Sequence, residues 1–248
     1  MSRAHARFLD NRPLQLLAGS YAILWILLAI NPLDRGDWFL ENLLVFATML
    51  VVLLTYHKFQ FSNLTYALLG LFLALHAIGA HYTYAKVPAG FWLQDWFHLN
   101  RNHFDRIIHF GFGLFLFYPI YELLNRASGV RGAWWLSWLA LAAIVAMSSF
   151  FEILEGVIAQ IVRPDLGTAY LGTQGDIWDA QKDMIAAVVG GILAASTVAV
   201  VRRQRACHPP CYRTLERSAD RRSVSAGGET TSNSRIGDIS EGSAVNVR

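Results

Sequence analysis

Residues 102–120 read NHFDRIIHFGFGLFLFYPI. The run is apolar enough to enter a membrane, yet His103, Asp105, Arg106 and His109 crowd its leading end. Asp105 and His109 stand four residues apart, so on a helix they share one face. Ionisable groups at the edge of a lipid-spanning helix, or inside it, are costly and mark function. Two later stretches repeat the habit: Glu152 with Glu155, then Asp176, Asp179 and Asp183. These pieces, with His76 and His81 upstream, are expected to meet in one polar site.

Working outward, the composition fixes the class. The 248-residue chain is 54% hydrophobic and 16% charged, with mean hydropathy +0.33. A soluble domain carries about 25% charged residues, so the balance is that of a membrane protein. Six runs approach the roughly 20 apolar residues a spanning helix needs: about 14–30, 42–56, 64–81, 104–124, 134–155 and 183–201. Closed β-barrels show short alternating segments instead. The expected fold is therefore all-α, a multi-pass transmembrane bundle of about six helices. Residues 1–13 precede it, 14–201 form it, and 202–248 follow as a polar tail expected to be disordered.

The net charge of +3 reflects topology rather than nucleic acid, and no nucleic-acid partner is expected. Arg3, Arg7, Arg12, Lys58, Arg126, Arg131, Arg202, Arg203 and Arg205 fall on one side of the six-helix arrangement. Lys86 and Arg101 are on the other, with the acid-rich segment Asp34, Asp37 and Glu41. The excess puts both termini in the cytoplasm. Trp134, Trp135 and Trp138 then mark the inner interface. Trp92, Trp96 and Phe97 mark the outer one, on a short helix in the headgroup plane. Asp165, with Pro164 and Gly167, reads as a loop turn, and Glu122 as interfacial. Gly111, Gly113, Gly190 and Gly191 permit close helix packing. Cys207, His208 and Cys211 lack the second half of a zinc site and read as a solvated tail. No GxxxxGK[ST] pattern is present, so no nucleotide site is read.

On this topology the suspicious residues gather in one leaflet. His, Asp and Glu ligate zinc, manganese or iron, and i, i+3 or i, i+4 pairs let one helix supply two ligands. His109, Glu152, Glu155 and Asp183 are the expected metal ligands, with Asp105 and Asp179 as the catalytic carboxylates, orienting those ligands or acting as general base. Further candidates are His76, His81, His103, Arg106 and Asp176. Three functions fit. The first is a metal-dependent hydrolase or transferase acting at the outer leaflet on a lipid or lipid-linked substrate. The second is an ion- or proton-coupled carrier. The third is a non-catalytic membrane scaffold whose polar network, with Arg106 and Lys182 as counter-charges, holds the bundle together.

The stretches HYTYAKVPAG, RNHFDRIIHFGFGLFLFYPIYELL, SSFFEILEG and GTQGDIWDAQKDM together resemble the YjdF-like family of bacterial inner-membrane proteins, over roughly residues 14–201. The resemblance implies a six-helix protein of the bacterial inner membrane. It implies no activity, the family being one of unknown function. A fainter similarity is to VanZ-like membrane proteins, through the Asp105, Arg106, His109 opening. Asp183 stands where that pattern has Asn, and Glu155 where Gln is commoner.

Overall fold

The computed structural model describes residues 8–162 and 164–207, and among them every regular element is helical. In chain order these are α1 (Arg12–Ala29), α2 (Arg35–Thr55), α3 (Asn63–His81), α4 (Pro88–Phe97), α5 (Phe104–Ala127), α6 (Ala133–Ile161), α7 (Pro164–Leu171) and α8 (Asp179–Cys207). Six of them, all but α4 and α7, are long and apolar enough to cross a membrane. The chain divides into Met1–Val200 and Val201–Arg248. The second part is described only as the last turns of α8. His208, Cys211 and the expected disorder beyond residue 207 lie outside the described residues.

Local chemistry sets where the helices begin. The Asp34 carboxylate accepts from the N–H groups of Gly36 and Asp37, so α2 starts seven residues before the apolar run. Asp37 and Glu41 thus belong to a spanning helix rather than to a loop. Ser62 caps α3 by accepting from Thr65 N–H. Pro88 opens α4, where its missing N–H costs nothing. The stretch with Pro164, Asp165 and Gly167 is not a loop turn: α7 begins at Pro164 by the same logic. Gly167 lets α7 lie directly on α6, where a Cβ would collide with the Ala159 carbonyl. The short helix expected around Trp92 is α4, with Trp92 and Trp96 exposed.

The expected glycine packing is specific. A Cβ on Gly113 would run into the Ala187 carbonyl, and one on Gly190 into the Phe110 carbonyl. Helices α5 and α8 therefore touch backbone to backbone, as small residues allow in lipid. Below this crossing Phe117, Tyr121, Leu136, Ala140 and Ala194 form a buried cluster joining α5, α6 and α8. Short connections make successive spans antiparallel. Leu33 N–H donates to the His81 carbonyl at one end, and Arg126 donates to the Gln60 carbonyl at the other. The first end, the charged end of the bundle, also holds the starts of α5 and α8.

Candidate functional site

The charged end is assembled around the start of α5. Asn102 is fully buried, its Oδ1 accepting from Phe104 N–H at 3.0 Å and its Nδ2 donating to the Val87 carbonyl at 3.0 Å. Gln174 grips the same residue twice, accepting from Asn102 N–H at 3.2 Å and donating to its carbonyl at 2.9 Å. The loop before α8 is thereby tied to the loop before α5. One turn into α5, His109 Nε2 lies 3.6 Å from Asp105 and 3.4 Å from Glu152 Oε1 on α6. One ligand atom each from Asp105, His109 and Asp183 lies within 4.8 Å of the others. Asp183 is 2% exposed, and neither its Oδ1 nor Glu152 Oε1 receives a hydrogen bond.

Two arginines surround this group. Arg101 is buried and grips Asp179 with both η nitrogens, at 2.6 and 3.1 Å, while also donating to the Thr173 carbonyl at 2.6 Å. Arg106 donates to Asp176 at 2.5 Å and to Asp179 at 3.1 Å, and its Nε stands 3.8 Å from Asp183 Oδ1. Asp179 is thus neutralised by two guanidinium groups and holds the loop down. Asp176 accepts from Lys182 at 2.6 Å and from Trp178 N–H at 3.1 Å. Those bonds, Lys182 foremost, keep its carboxyl below the ordinary carboxylate range. His103 Nδ1 accepts from Arg106 at 2.9 Å. Burial first, then the Arg106 and Arg101 charges, lowers the pKa of this imidazole.

His76 is committed at both ring nitrogens. Nε2 is 3.2 Å from the Glu41 carbonyl, which can only accept, so Nε2 carries the proton. Nδ1 then accepts from the Tyr84 hydroxyl at 2.5 Å. Burial, and then the Glu41 and Asp105 carboxylates, raises the Tyr84 pKa well above its usual value, which keeps that donor in place. Thr83 and Tyr84 reach this position through left-handed backbone, at φ 55° and 46°. His81 is spent on the Leu28 carbonyl, 2.7 Å from its Nδ1. The structure thus gathers Asp105, His109, Asp183 and Glu152, sets Asp179, Asp176, Arg106 and His103 in an adjoining ion-pair layer, and gives His76 and His81 bonding work.

A cavity of about 940 Å³ opens from this site. Glu41, His76, Asp105, His109 and Glu155 line its polar end. Side chains from α1, α2, α3, α5 and α6 form most of the rest of its wall, which is mostly apolar, with His57, Gln60, Tyr84 and Tyr170 also on it. Asp37, 1% exposed, has both carboxylate oxygens without a donor.

The family described as "Predicted membrane protein (DUF2238)" matches residues 13–204. The chain belongs to that family. It is also 33% identical, over 183 residues, to the inner membrane protein YjdF of Escherichia coli (strain K12), covering 73% of this chain and 87% of the relative. No solved structure matches. Every residue of the site falls inside the DUF2238 stretch. The site therefore belongs to the family's own domain, in a multi-pass membrane protein.

Sequence reasoning missed Glu41, Asp37, Arg101, Asn102 and Tyr84. The signal for the first two was present: Asp37 and Glu41 have the same four-residue spacing as Asp105 and His109. Chemically, a His and two carboxylates this close can hold a divalent metal. A cation about 2.1 Å from each ligand atom draws such atoms to within about 4.2 Å, a small contraction of the group as it stands.

Proposed function

We propose that this membrane protein is a metal-dependent hydrolase or transferase acting on a lipid or lipid-linked substrate, with Asp105, His109 and Asp183 holding zinc, manganese or iron and Glu152 as the fourth ligand. The observation that carries this is the Asp105, His109, Asp183 group, with His109 and Asp183 buried and with Asp183 Oδ1 and the neighbouring Glu152 Oε1 lacking a donor. Buried carboxylates without donors are costly, and a cation removes the cost. The charge bias of the loops supports cytoplasmic termini and an outward-facing site in the inner membrane.

A bound metal supplies a Lewis acid for an ester or phosphoryl oxygen and an activated water. Glu155, on the cavity wall, takes the proton of the attacking water or acceptor hydroxyl. The oxygen–carbon or oxygen–phosphorus bond to the leaving group breaks as the new one forms, and the leaving oxygen takes up a proton. Arg101 and Arg106, through Asp179, fix the first turn of α8, which carries Asp183 into the site.

A carrier needs acids toward both ends of the bundle. Glu122, at the other end, is bound by Ser62, Thr65 and Arg126, which leaves little for a relay. The test is elemental analysis of detergent-purified protein. About one equivalent of zinc, manganese or iron is expected, lost in His109→Ala and Asp183→Asn. No metal after reconstitution would falsify the proposal. Glu152→Gln with Glu155→Gln separates an enzyme from a scaffold: intact thermal unfolding with lost metal supports the enzyme, and equal loss of folding supports the scaffold.

A further inference from the structure

We propose that the cavity is a berth for one hydrocarbon chain of a membrane lipid, seated with its polar end at His109 and its tail along α2. For the reacting end this rests on the enzyme proposed above; chain binding itself stands on separate observations. The carboxylates of the lining stand at one end, Glu41, Asp105 and Glu155, with His76 and His109 among them, while His57 and Gln60 lie at the other. Next come Val45, Phe72, Ile108, Phe112 and Phe151, then Met49, Leu73, Leu116 and Met147. The opposite end holds Phe8 and Tyr56, whose rings meet edge to face at 6.5 Å. Along α2, Glu41 and Tyr56 both line the wall, and at 1.5 Å per residue they are about 22 Å apart. A lumen of that length suits a long unbranched or isoprenoid chain.

The volume, about 940 Å³, is far larger than the voids native interiors leave empty. An apolar void stays dry and takes an apolar ligand. For a multi-pass membrane protein the abundant apolar ligand is lipid. The way in is from the side. Helix α2 packs on α3 and α7, α6 packs on α5 and α7, and both line the cavity between them. A lipid entering there keeps its headgroup at the charged end while its chain slides between the helices, so no polar group crosses hydrocarbon.

The full-length protein is placed in vesicles with phosphatidylethanolamine carrying a diazirine in one acyl chain, or with a diazirine-bearing polyprenyl phosphate. After irradiation the label is mapped by mass spectrometry. Label is expected on Thr48, Met49, Leu73 or Met147. It should fall about tenfold in Thr48→Trp and Leu73→Trp, which fill the lumen, and persist in Asp183→Asn. An unfolding midpoint in detergent close to that of the unsubstituted protein shows that the two tryptophan variants fold. Which probe labels the lumen tells an acyl lipid from an isoprenoid one. Label confined to outward residues such as Ile23 and Leu54, or label that the tryptophans do not reduce, overturns the proposal. Lumen label in a protein without metal would leave the berth standing and remove the metalloenzyme.

Discussion

Glu122 and Asp183 are both acids in spanning helices, at opposite ends of the bundle, and they are treated in opposite ways. Glu122 accepts from Ser62 N–H at 2.9 Å, Ser62 Oγ at 2.8 Å, Thr65 Oγ1 at 2.5 Å and Arg126 at 3.0 Å. Asp183 is more deeply buried, yet its Oδ1 receives no hydrogen bond, and Arg106 Nε stands 3.8 Å away. A carboxylate kept for architecture is surrounded by donors, because each unmet lone pair in a dry interior is expensive. One left short of donors is the kind that a bound cation would satisfy. Asp179 marks a third condition, fully paired with Arg101 and Arg106 and buried with them. Three carboxylates thus meet three conditions, Glu122 ringed by donors, Asp183 with an oxygen that has none and Asp179 clamped by two arginines.

Three substitutions and one titration test that division. The largest effect is expected at the clamp. Arg101→Ala leaves the buried Asp179 with Arg106 alone and should cost about 3 kcal/mol, read as a large drop in the unfolding midpoint in detergent. Glu122→Ala comes next, at about 2 kcal/mol, since it leaves the Ser62 and Thr65 donors unmet. Asp183→Asn should change the stability of metal-free protein by no more than about 0.5 kcal/mol, or raise it, because a buried charge without donors disappears. A loss as great as that of Glu122→Ala would break the comparison and make Asp183 structural.

The smallest effect is that of pH on Asp176. Its pKa is lowered in the fold, chiefly by Lys182, so its contribution is complete above the ordinary aspartate value of about 3.9. That contribution is lost as pH falls through the lower folded value. Proteolysis of the 172–178 loop should accelerate in that acidic window, and Asp176→Asn should abolish the step. A step that survives the substitution assigns it to another group.

Much of this was legible in the chain. The six spans follow from apolar length alone, since a bilayer demands it whatever the neighbours. The spacing of Asp105 and His109, and the separate cluster at 176–183, flagged the right helix ends. The start of α2 was not legible, because Asp34, Asp37 and Glu41 make that stretch look like a polar loop. It is helical because Asp34 caps it and the other two carboxylates turn inward. Arg101 reads as a topological blemish in one dimension and becomes the clamp on Asp179 only when α8 begins beside α5.

By itself, then, the sequence determined a six-span helical membrane protein with ionisable groups gathered toward one end, because hydrophobic length and helical period are local properties. Only the tertiary structure decided which acids share a site, which are satisfied and where the cavity runs. Those outcomes depend on which helices touch. Contacts such as Gly113 against the Ala187 carbonyl are made between residues far apart in the chain, where no local pattern reaches.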